Sequence, residues 1–257
     1  MKLDLHFLGV GNANAVELGS AAAVIERDGA PLLLIDCGPD ALTAYLAHYG
    51  CAPRAIYLTH AHMDHVGGLE RLFFASYFDS GLRGRLRIYC HAALVPILQS
   101  RVADYPEVLA EGGANFWDAF NLVPVSRGFW HDGLWFDVFP TRHHAPMTSF
   151  ALALRGSVAW TGDTRPIPEM LGHYAAHGEL VAHDCVVVGN PSHSGIDDIE
   201  REYPAGLRER LVLYHYASEA EAAALEQRGY CIARRSDRLA LASPHAAVLL
   251  ADAGGGR

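Results

Sequence analysis

Four potential metal ligands lie within six residues of this 257-residue chain, in the segment His60-x-His62-x-Asp64-His65. The apolar run Ala55–Leu58 precedes them and is typical of a buried strand. Residues two apart in an extended segment point the same way, so His60 and His62 can bind one ion. Asp64 and His65 follow where the chain turns into a helix, which directs them to a second point nearby. Imidazole and carboxylate ligands suit zinc, manganese or iron rather than calcium.

This segment resembles the HxHxDH signature of the metallo-β-lactamase superfamily, and later segments resemble that family's other ligand positions. These positions are His143 or His144 in Thr-Arg-His-His-Ala-Pro-Met-Thr-Ser, Asp163 in Trp-Thr-Gly-Asp-Thr, and His215 in Leu-Val-Leu-Tyr-His. Phe7-Leu-Gly-Val-Gly-Asn and Leu34-Ile-Asp-Cys-Gly38 also resemble the family's opening strands. The resemblance covers nearly the whole chain and implies an α/β fold, the αββα sandwich of two mixed β-sheets flanked by helices.

The resemblance also implies two divalent transition-metal ions, with zinc expected first and manganese or iron as alternatives. The implied ligands are His60, His62 and His143 for one ion, Asp64, His65 and His215 for the other, and Asp163 as the bridge. Two ions about 3.5–4 Å apart can bind a hydroxide and lower the pKa of bound water towards 7. A metal-bound hydroxide would then be the nucleophile, so no serine or cysteine nucleophile is required.

Two adjacent histidines, His143 and His144, compete for one ligand position. Counting from His143, a small residue and an aromatic residue, Ser149 and Phe150, follow six and seven positions later. Related phosphodiesterases share this spacing, which favours His143 as the ligand. His144 is then expected to support the site or to line the wall of a pocket.

Gly162-Asp163-Thr164 resembles the GDT segment of the ribonuclease Z-like phosphodiesterases in this superfamily. Where that group has His-Glu-Ala-Thr and then His-Ser, this chain has His183-Asp184-Cys185 and then Ser192-His193-Ser194. An alkoxide leaving group needs a proton, and a carboxylate can orient a histidine to donate it. The resemblance therefore implies that Asp184 orients His193 as the general acid, and that Asp64, His193 and Asp184 form the catalytic set. Aspartate shortens the carboxylate relative to glutamate, and a loop surface position is the alternative for His193.

Short strands are predicted to position these residues. Leu3, Leu5 and Phe7 alternate with polar neighbours, which indicates a half-buried strand. The apolar run 31–35 predicts a buried strand that ends at Asp36. Asp36 is predicted to orient the His60 loop through backbone hydrogen bonds, with an ordinary turn aspartate as the alternative.

Helices are predicted between the strands, one from Asp40 to Gly50 and one from Val66 to Tyr77. Further strands are predicted around 134–138, 150–154, 158–160, 180–182, 211–213, 230–233 and 239–241. No linker-like stretch divides the chain. We therefore expect a single domain over residues 1–252 and a loose tail over 253–257.

The chain is acidic, with a net charge of −9, and Lys2 is its only lysine. That composition is not typical of a protein that binds nucleic acids or membrane surfaces. No apolar run approaches 18 residues and no signal peptide is recognised, so no membrane association is expected. The five cysteines are scattered and odd in number, which predicts a reducing cytoplasm rather than a disulfide framework.

A small phosphodiester, with a cyclic nucleotide as one option, is the expected substrate. Only 20 positions separate His143 from Asp163, and they read mostly as strands. The tRNA-gripping arm of short bacterial ribonuclease Z enzymes does not fit there, so tRNA is not expected as a partner. The alternatives are a lactone or thioester hydrolase of the same fold, or a metal-binding carrier or sensor without hydrolytic activity.

Two aromatic segments lie between the ligands, Phe73-Phe74-x-x-Tyr77-Phe78 and Asn115-Phe116-Trp117-x-x-Phe120. Such spacings are typical of a core or a subunit interface, and some of these rings could instead line a pocket and stack on a base. A homodimer is the expected assembly.

Overall fold

A computed structural model describes residues 1–104, 109–110 and 112–245. The predicted tail over 253–257 and the predicted domain end at 252 lie outside these residues. Within them, two sheets of seven strands each have the orders β14-β1-β2-β3-β4-β5-β6 and β13-β12-β11-β10-β9-β8-β7. The strands are β1 Leu3–Gly9, β2 Ala22–Arg27, β3 Ala30–Ile35, β4 Ala55–Leu58, β5 Leu86–His91, β6 Phe120–Val125, β7 Gly128–His131, β8 Leu134–Pro140, β9 Phe150–Leu154, β10 Val158–Trp160, β11 Leu180–Asp184, β12 Leu211–Tyr214, β13 Cys231–Ile232 and β14 Arg238–Leu241.

Helices and helical turns flank the sheets. The α-helices are α1 Ala41–Tyr49, α2 Met63–Val66, α3 Leu69–Tyr77, α4 Val95–Leu98, α5 Pro168–Tyr174, α6 Ile196–Glu202, α7 Ala205–Arg208 and α8 Glu219–Gln227. A π-helical turn, Gln99–Ala103, continues α4, and 3-10 turns occupy Val16–Leu18, Ala92–Leu94 and Phe116–Ala119. Two mixed sheets flanked by helices are the predicted sandwich, so the fold prediction is confirmed.

The two sheets share one buried apolar core. The ring of Phe7 in β1 lies 5.7 Å from that of Trp160 in β10, measured between centroids. The hydroxyl of Tyr57 in β4 donates to the carbonyls of Phe150 and Ala151 in β9, at 3.2 Å each. Truncating a buried aromatic of this kind to alanine costs about 3–5 kcal/mol.

Parallel strands bring the chemistry-bearing residues to one edge of the sandwich. Strands β3 and β4 are parallel in the first sheet, and β10, β11 and β12 are parallel in the second. Asp36 and His60 follow the carboxyl ends of β3 and β4 closely. Asp163, Asp184 and His215 lie at or just beyond the corresponding ends of β10, β11 and β12. Ligand sites in α/β sheets commonly lie outside the carboxyl ends of strands.

The first strand differs from its prediction, because all seven residues of β1 are buried. The polar neighbours Asp4 and His6, expected to face solvent, are covered as well. Helix α1 packs on this face, and Nδ1 of His6 forms a 2.8 Å hydrogen bond with the Tyr49 hydroxyl. The prediction of a half-buried strand was therefore wrong.

The predicted helix over 66–77 is two helices, α2 and α3, separated by Gly67 and Gly68. The backbone of Gly68 approaches the loop after β3 closely, and its N–H donates to the Cys37 carbonyl at 2.9 Å. A Cβ at Gly68 would collide with the carbonyl of Gly38. This contact ends α2 and fixes the ligand segment against the neighbouring loop.

Among the described residues, no helix is long and apolar enough to cross a membrane.

Candidate metal centre

The His60 segment is held in place by a buried carboxylate, that of Asp36. One carboxylate oxygen accepts a hydrogen bond from the Thr59 N–H, and the other accepts from the Thr59 hydroxyl, each at 2.8 Å. The second oxygen also lies 2.8 Å from Nδ1 of His65. Asp36 thus fixes the segment's backbone and the orientation of one candidate ligand, as the sequence predicted.

A first group of ligand atoms comprises those of His60, His62, His143 and Asp163, all within 4.8 Å of one another. Nε2 of His60 and Nε2 of His143 each lie 3.6 Å from Oδ2 of Asp163. Nε2 of His143 lies 3.1 Å from Nδ1 of His62. Three imidazoles and a carboxylate therefore converge on one point.

A second group comprises ligand atoms of Asp64, His65, Asp163 and His215, again within 4.8 Å of one another. Nε2 of His65 and Nε2 of His215 each lie 3.3 Å from Oδ1 of Asp163. The same two nitrogens lie 3.6 Å from Oδ2 of Asp64. Asp163 thus turns one oxygen to each group, which is the arrangement of a bridging ligand.

Several of these atoms are buried yet have no hydrogen-bond partner among the described residues. They are Nε2 of His60, Nε2 of His65, Nε2 of His215 and Oδ1 of Asp163. Buried polar atoms are rarely left unpaired, because each costs desolvation free energy. All four point into the two groups, so the donor set fits two divalent transition-metal ions.

The electrostatics of the first group favour neutral imidazoles, the form that binds a metal. Burial lowers the pKa of His60 well below its ordinary value, despite the attraction of Asp163. Burial also lowers the pKa of His143, to about 4, and that of His62.

The second group attracts positive charge. Burial alone would lower the pKa of His215, but the carboxylates of Asp163 and Asp184 raise it to about 10. His65 behaves similarly, since Asp163 and Asp36 raise its pKa well above the ordinary value against burial. The pKa of Asp163 itself is held well below its ordinary value by His215, His65 and His60, although burial opposes this. A cation bound here takes the place of protons on these imidazoles.

The structure distinguishes the two adjacent histidines. His143 is buried, belongs to the first group, and its Nδ1 bonds the Ser192 carbonyl at 2.9 Å. His144 is exposed, and its ring lies 4.8 Å from that of His62, between centroids. His144 therefore lines the wall of the site, outside both ligand groups.

His193 lies at the edge of both groups. Its ring is 4.9 Å from that of His143 and 5.0 Å from that of His215, between centroids. Its Nδ1 bonds Oδ2 of buried Asp184 at 2.9 Å, and the same oxygen accepts from the Thr164 N–H at 2.9 Å. Burial opposes the shift, but the bond to Asp184 raises the pKa of His193. The shorter aspartate side chain thus reaches the histidine.

Asp184 has a second contact that sequence reasoning missed. Its Oδ1 lies 3.4 Å from Nδ1 of His215, a candidate ligand. One buried carboxylate therefore bonds His193 and lies within ion-pair distance of His215. No spacing in the sequence indicated this pairing, because it depends on β11 and β12 lying side by side.

A cavity of about 600 Å³ opens beside the first group. Its walls include His62, His144, Ile97 and Arg101, of which the sequence analysis named only the two histidines. A second concavity of about 510 Å³ lies on the other side of His62 and is rimmed by Met63.

The aromatic segments do not line the cavity beside the first group. Phe73 and Phe116 are buried and stack on each other at 5.7 Å between centroids. Trp117 is half-buried and donates to the side-chain oxygen of Gln99 at 2.7 Å. The expected core therefore accounts for Phe73 and Phe116, whereas Phe78 is 69% exposed.

A family profile described as Anti-Pycsar protein Apyc1 matches residues 3–238. The chain belongs to this family. An Anti-Pycsar protein Apyc1 from Saccharibacillus brassicae is 31% identical over 230 residues, which cover 85% of this chain and 92% of that protein. Another from Paenibacillus xerothermodurans is 28% identical over 231 residues, covering 86% and 90%.

Solved structures show the same fold. The metallo-β-lactamase fold protein YhfI from Bacillus subtilis has a TM-score of 0.72 and 14% identity, with 93% of this chain and 100% of that chain covered. A diphosphatase of the PhnP family has a TM-score of 0.70 and 19% identity, covering 92% and 97%. These structures confirm the predicted metallo-β-lactamase fold. As a member of the Apyc1 family, the chain is an enzyme, a metal-dependent hydrolase.

Proposed function

We propose that this Apyc1-family protein is a dinuclear metallo-phosphodiesterase whose substrate is a small phosphodiester, specifically a cyclic nucleotide. One observation carries the proposal: two ligand groups share Asp163, and the proton-bearing pair His193–Asp184 lies at their common edge. Such a pair is required for an alkoxide leaving group, and a phosphodiester releases one.

The first group would hold one ion and the second group the other, with zinc expected first and manganese or iron as alternatives. Bound there, the ions would supply Lewis acidity and activate water as a nucleophile at neutral pH. The chain's own contribution is to fix the ligands. Asp36 orients His65 through a hydrogen bond to its Nδ1, and the carboxylate of Asp184 lies 3.4 Å from Nδ1 of His215. Such supporting contacts set the direction of the ligand nitrogen.

The proton for the leaving group comes from His193 in this proposal. Its Nδ1–H remains bonded to Asp184, so Nε2 carries the proton that moves. As the P–O bond breaks, the leaving alkoxide oxygen takes this proton and His193 becomes neutral. The Asp184 carboxylate stabilises the cationic form before transfer, consistent with the raised pKa of His193.

The size of the site favours a mononucleotide. The cavity beside His62 has a volume of about 600 Å³, within the usual range for small-molecule pockets. Strands β9 and β10, joined by a short turn, occupy most of the chain between His143 and Asp163, and no arm extends from this segment. Together with the net charge of −9, this argues against tRNA as the substrate.

Lactone or thioester hydrolysis remains the second candidate, because the same ligands serve attack on acyl carbon. A thiolate leaves without a proton, so it makes no use of His193. The part-buried bond that orients His193 therefore argues against a thioester, whereas a lactone releases an alkoxide as a phosphodiester does, so the turnover screen must separate these two. A metal carrier or sensor would need neither this pair nor the cavity. A cytoplasmic location and a homodimeric assembly remain part of the proposal.

A parallel turnover screen tests this function. Metal-loaded protein is assayed on purine and pyrimidine cyclic nucleotides, bis(p-nitrophenyl) phosphate, lactones and thioesters. The Asp163→Ala variant, purified identically, reports contaminating hydrolases. We expect turnover of cyclic nucleotides that is abolished in the variant. Turnover of lactones or thioesters alone, or of none of these compounds despite full metal loading, would refute the proposal.

A further inference from the structure

Arg101 lies between the two concavities that flank His62. It belongs to the π-helical turn Gln99–Ala103 and forms part of the wall of both the 600 Å³ and the 510 Å³ spaces. Both spaces are also lined by His62, and the smaller one by Asp64 as well. Arg101 therefore lines the same spaces as candidate metal ligands, and a ligand in either space can reach it.

The guanidinium of Arg101 is hydrogen-bonded to the backbone of the segment that carries the candidate ligands. Nε of Arg101 donates to the carbonyl of Ala61, the residue between His60 and His62, at 3.3 Å. This bond joins positions 40 residues apart and fixes the side chain beside the first ligand group. Nε is engaged in this bond, while the two terminal nitrogens form no hydrogen bond with the described residues.

Arg101 forms no ion pair with a carboxylate in the part of the chain that the structure describes. On a neighbouring concavity, Arg142 lies 2.8 Å from Glu169 and Arg201 lies 2.6 Å from Asp198, whereas Arg165, like Arg101, has no carboxylate partner among the described residues. In a chain with 29 acidic and 20 basic residues, an exposed arginine beside the active site that has no carboxylate partner among the described residues is a candidate to bind an anionic ligand.

We propose that Arg101 binds the anionic phosphodiester group of the substrate. Guanidinium presents two parallel N–H donors that match two phosphate oxygens, a geometry that lysine cannot reproduce. Arg101 holds the phosphate against the first ligand group while the nucleoside occupies the space beside Ile97 and His144. The apolar wall at Pro96 and Ile97 supplies surface for the nucleoside but no charge. This inference rests on the proposed phosphodiesterase function.

The test compares Arg101→Met and Arg101→Lys with the wild type on two diesters. One is a cyclic nucleotide, and the other is bis(p-nitrophenyl) phosphate, which has the phosphate but no nucleoside. Arg85→Met is the matched control, since Arg85 is also exposed without an ion pair among the described residues, but lies before β5, at the opposite end of the sheet.

We expect Arg101→Met to lower kcat/KM on both diesters alike, by about ten- to hundredfold, the effect of losing charge-assisted hydrogen bonds. Arg101→Lys should recover part of the loss, and Arg85→Met should change little. Both Arg101 variants should retain the wild-type metal content. A loss confined to the cyclic nucleotide would assign Arg101 to the nucleoside instead and overturn the proposal. Unchanged kinetics or a loss of metal would overturn it as well.

A binding measurement separates this inference from the proposed function. Inorganic phosphate is titrated calorimetrically into metal-loaded wild type, Arg101→Met and Arg85→Met. Weaker binding in Arg101→Met alone supports the anion contact even if no diester is turned over. Equal phosphate binding by all three proteins contradicts the contact, whereas a wild type inert on every diester contradicts the function.

Discussion

His193 is the residue whose role the geometry defines most sharply. Its Nδ1 is engaged with Asp184, and its ring lies close to ligands from both groups, yet it belongs to the edge of the centre. His193 reaches this position because β11 ends at Asp184 and the loop after β11 passes back over the Asp184 carboxylate. A hydrogen bond from the Ser194 N–H to the Thr164 carbonyl, at 3.0 Å, holds this loop in place. In the proposed function, His193 would therefore lie where the leaving group receives its proton.

Replacing His193 with alanine should retain metal but slow the release of a poor leaving group. On a cyclic nucleotide we expect kcat to fall by about 10²–10⁴-fold, the range for loss of a general acid. On bis(p-nitrophenyl) phosphate the decrease should be far smaller, because p-nitrophenolate departs without a proton. His173→Ala, which removes an exposed histidine of α5, is the control. Equal losses on both diesters, or loss of metal, would remove His193 from this role.

The pH dependence of activity is a second test of His193 as the proton donor. The pKa of His193 is raised above 6.5, and its protonated form is the donor. On the alkaline side, activity on a cyclic nucleotide should therefore decline as the pH rises through this raised pKa. The decline should be absent with bis(p-nitrophenyl) phosphate and in the His193→Ala variant. If the variant keeps the same alkaline decline on its residual activity, another group is titrating.

The adjacent histidines His143 and His144 should respond differently to substitution. His143→Ala should lose metal, because its Nε2 faces Oδ2 of Asp163. His144→Ala should retain metal and alter KM or kcat, because this residue lines the cavity. Elemental analysis of both purified variants decides the matter. Loss of metal from His144→Ala, with normal content in His143→Ala, would reverse the assignment.

At the scale of elements, the loop after β3 supports the ligand segment through close backbone contacts. The Cys37 N–H donates to the His65 carbonyl at 2.7 Å, and a Cβ on Gly38 would collide with the carbonyl of Asp64. These contacts explain why two separate loops carry a single site. They also leave no space for a side chain at Gly38.

Gly38→Ala should consequently destabilise the fold and weaken metal binding. Overpacking of this kind typically costs about 1–3 kcal/mol. Gly206→Ala is the control, since Gly206 lies inside α7 with open space around its Cα. That change should be neutral or stabilise by about 0.4–1 kcal/mol. Denaturant unfolding measures the free energy of unfolding of both variants. Equal values would contradict the prediction, because they would show that the loop accommodates the added methyl group without cost.

Elements that end at the site were predictable from local sequence. The apolar runs before Asp36 and His60 form β3 and β4, and the GDT segment follows β10 as expected. Buried strands read as continuous apolar runs, and polar residues directly after such a run mark the strand end. The ligand segment His60–His65 could be recognised in this way, whereas His143, Asp163 and His215 were named from the resemblance to the metallo-β-lactamase superfamily.

Other features depend on contacts between distant segments and have no local signal. The burial of His6 depends on Tyr49, 43 positions later, and the place of Arg101 depends on Ala61. Strands β5, β6 and β7 were not predicted, because part of this region was interpreted through its aromatic residues. The cavity is likewise formed by α4, the π-helical turn and the His143 loop, which meet only in the folded chain.

At the scale of the whole molecule, the proposal places two cations in an acidic protein. The centre gathers carboxylates and imidazoles whose burial would be unfavourable without charge compensation. Two carboxylates of the ligand groups, Asp64 and Asp163, offset only part of the charge of two divalent ions. Asp36 and Asp184 beside them carry two further carboxylates, so the two ions would neutralise a centre that would otherwise repel an anionic diester.

Metal stoichiometry measured against activity tests this account most directly. Metal-free protein is titrated with zinc or manganese, and bound ions per chain and cyclic-nucleotide turnover are recorded together. We predict two bound ions per chain, turnover that requires the second, and the loss of most activity in His62→Ala, which lacks one ligand. Full turnover with a single ion, or normal metal content and rate in His62→Ala, would contradict the dinuclear phosphodiesterase.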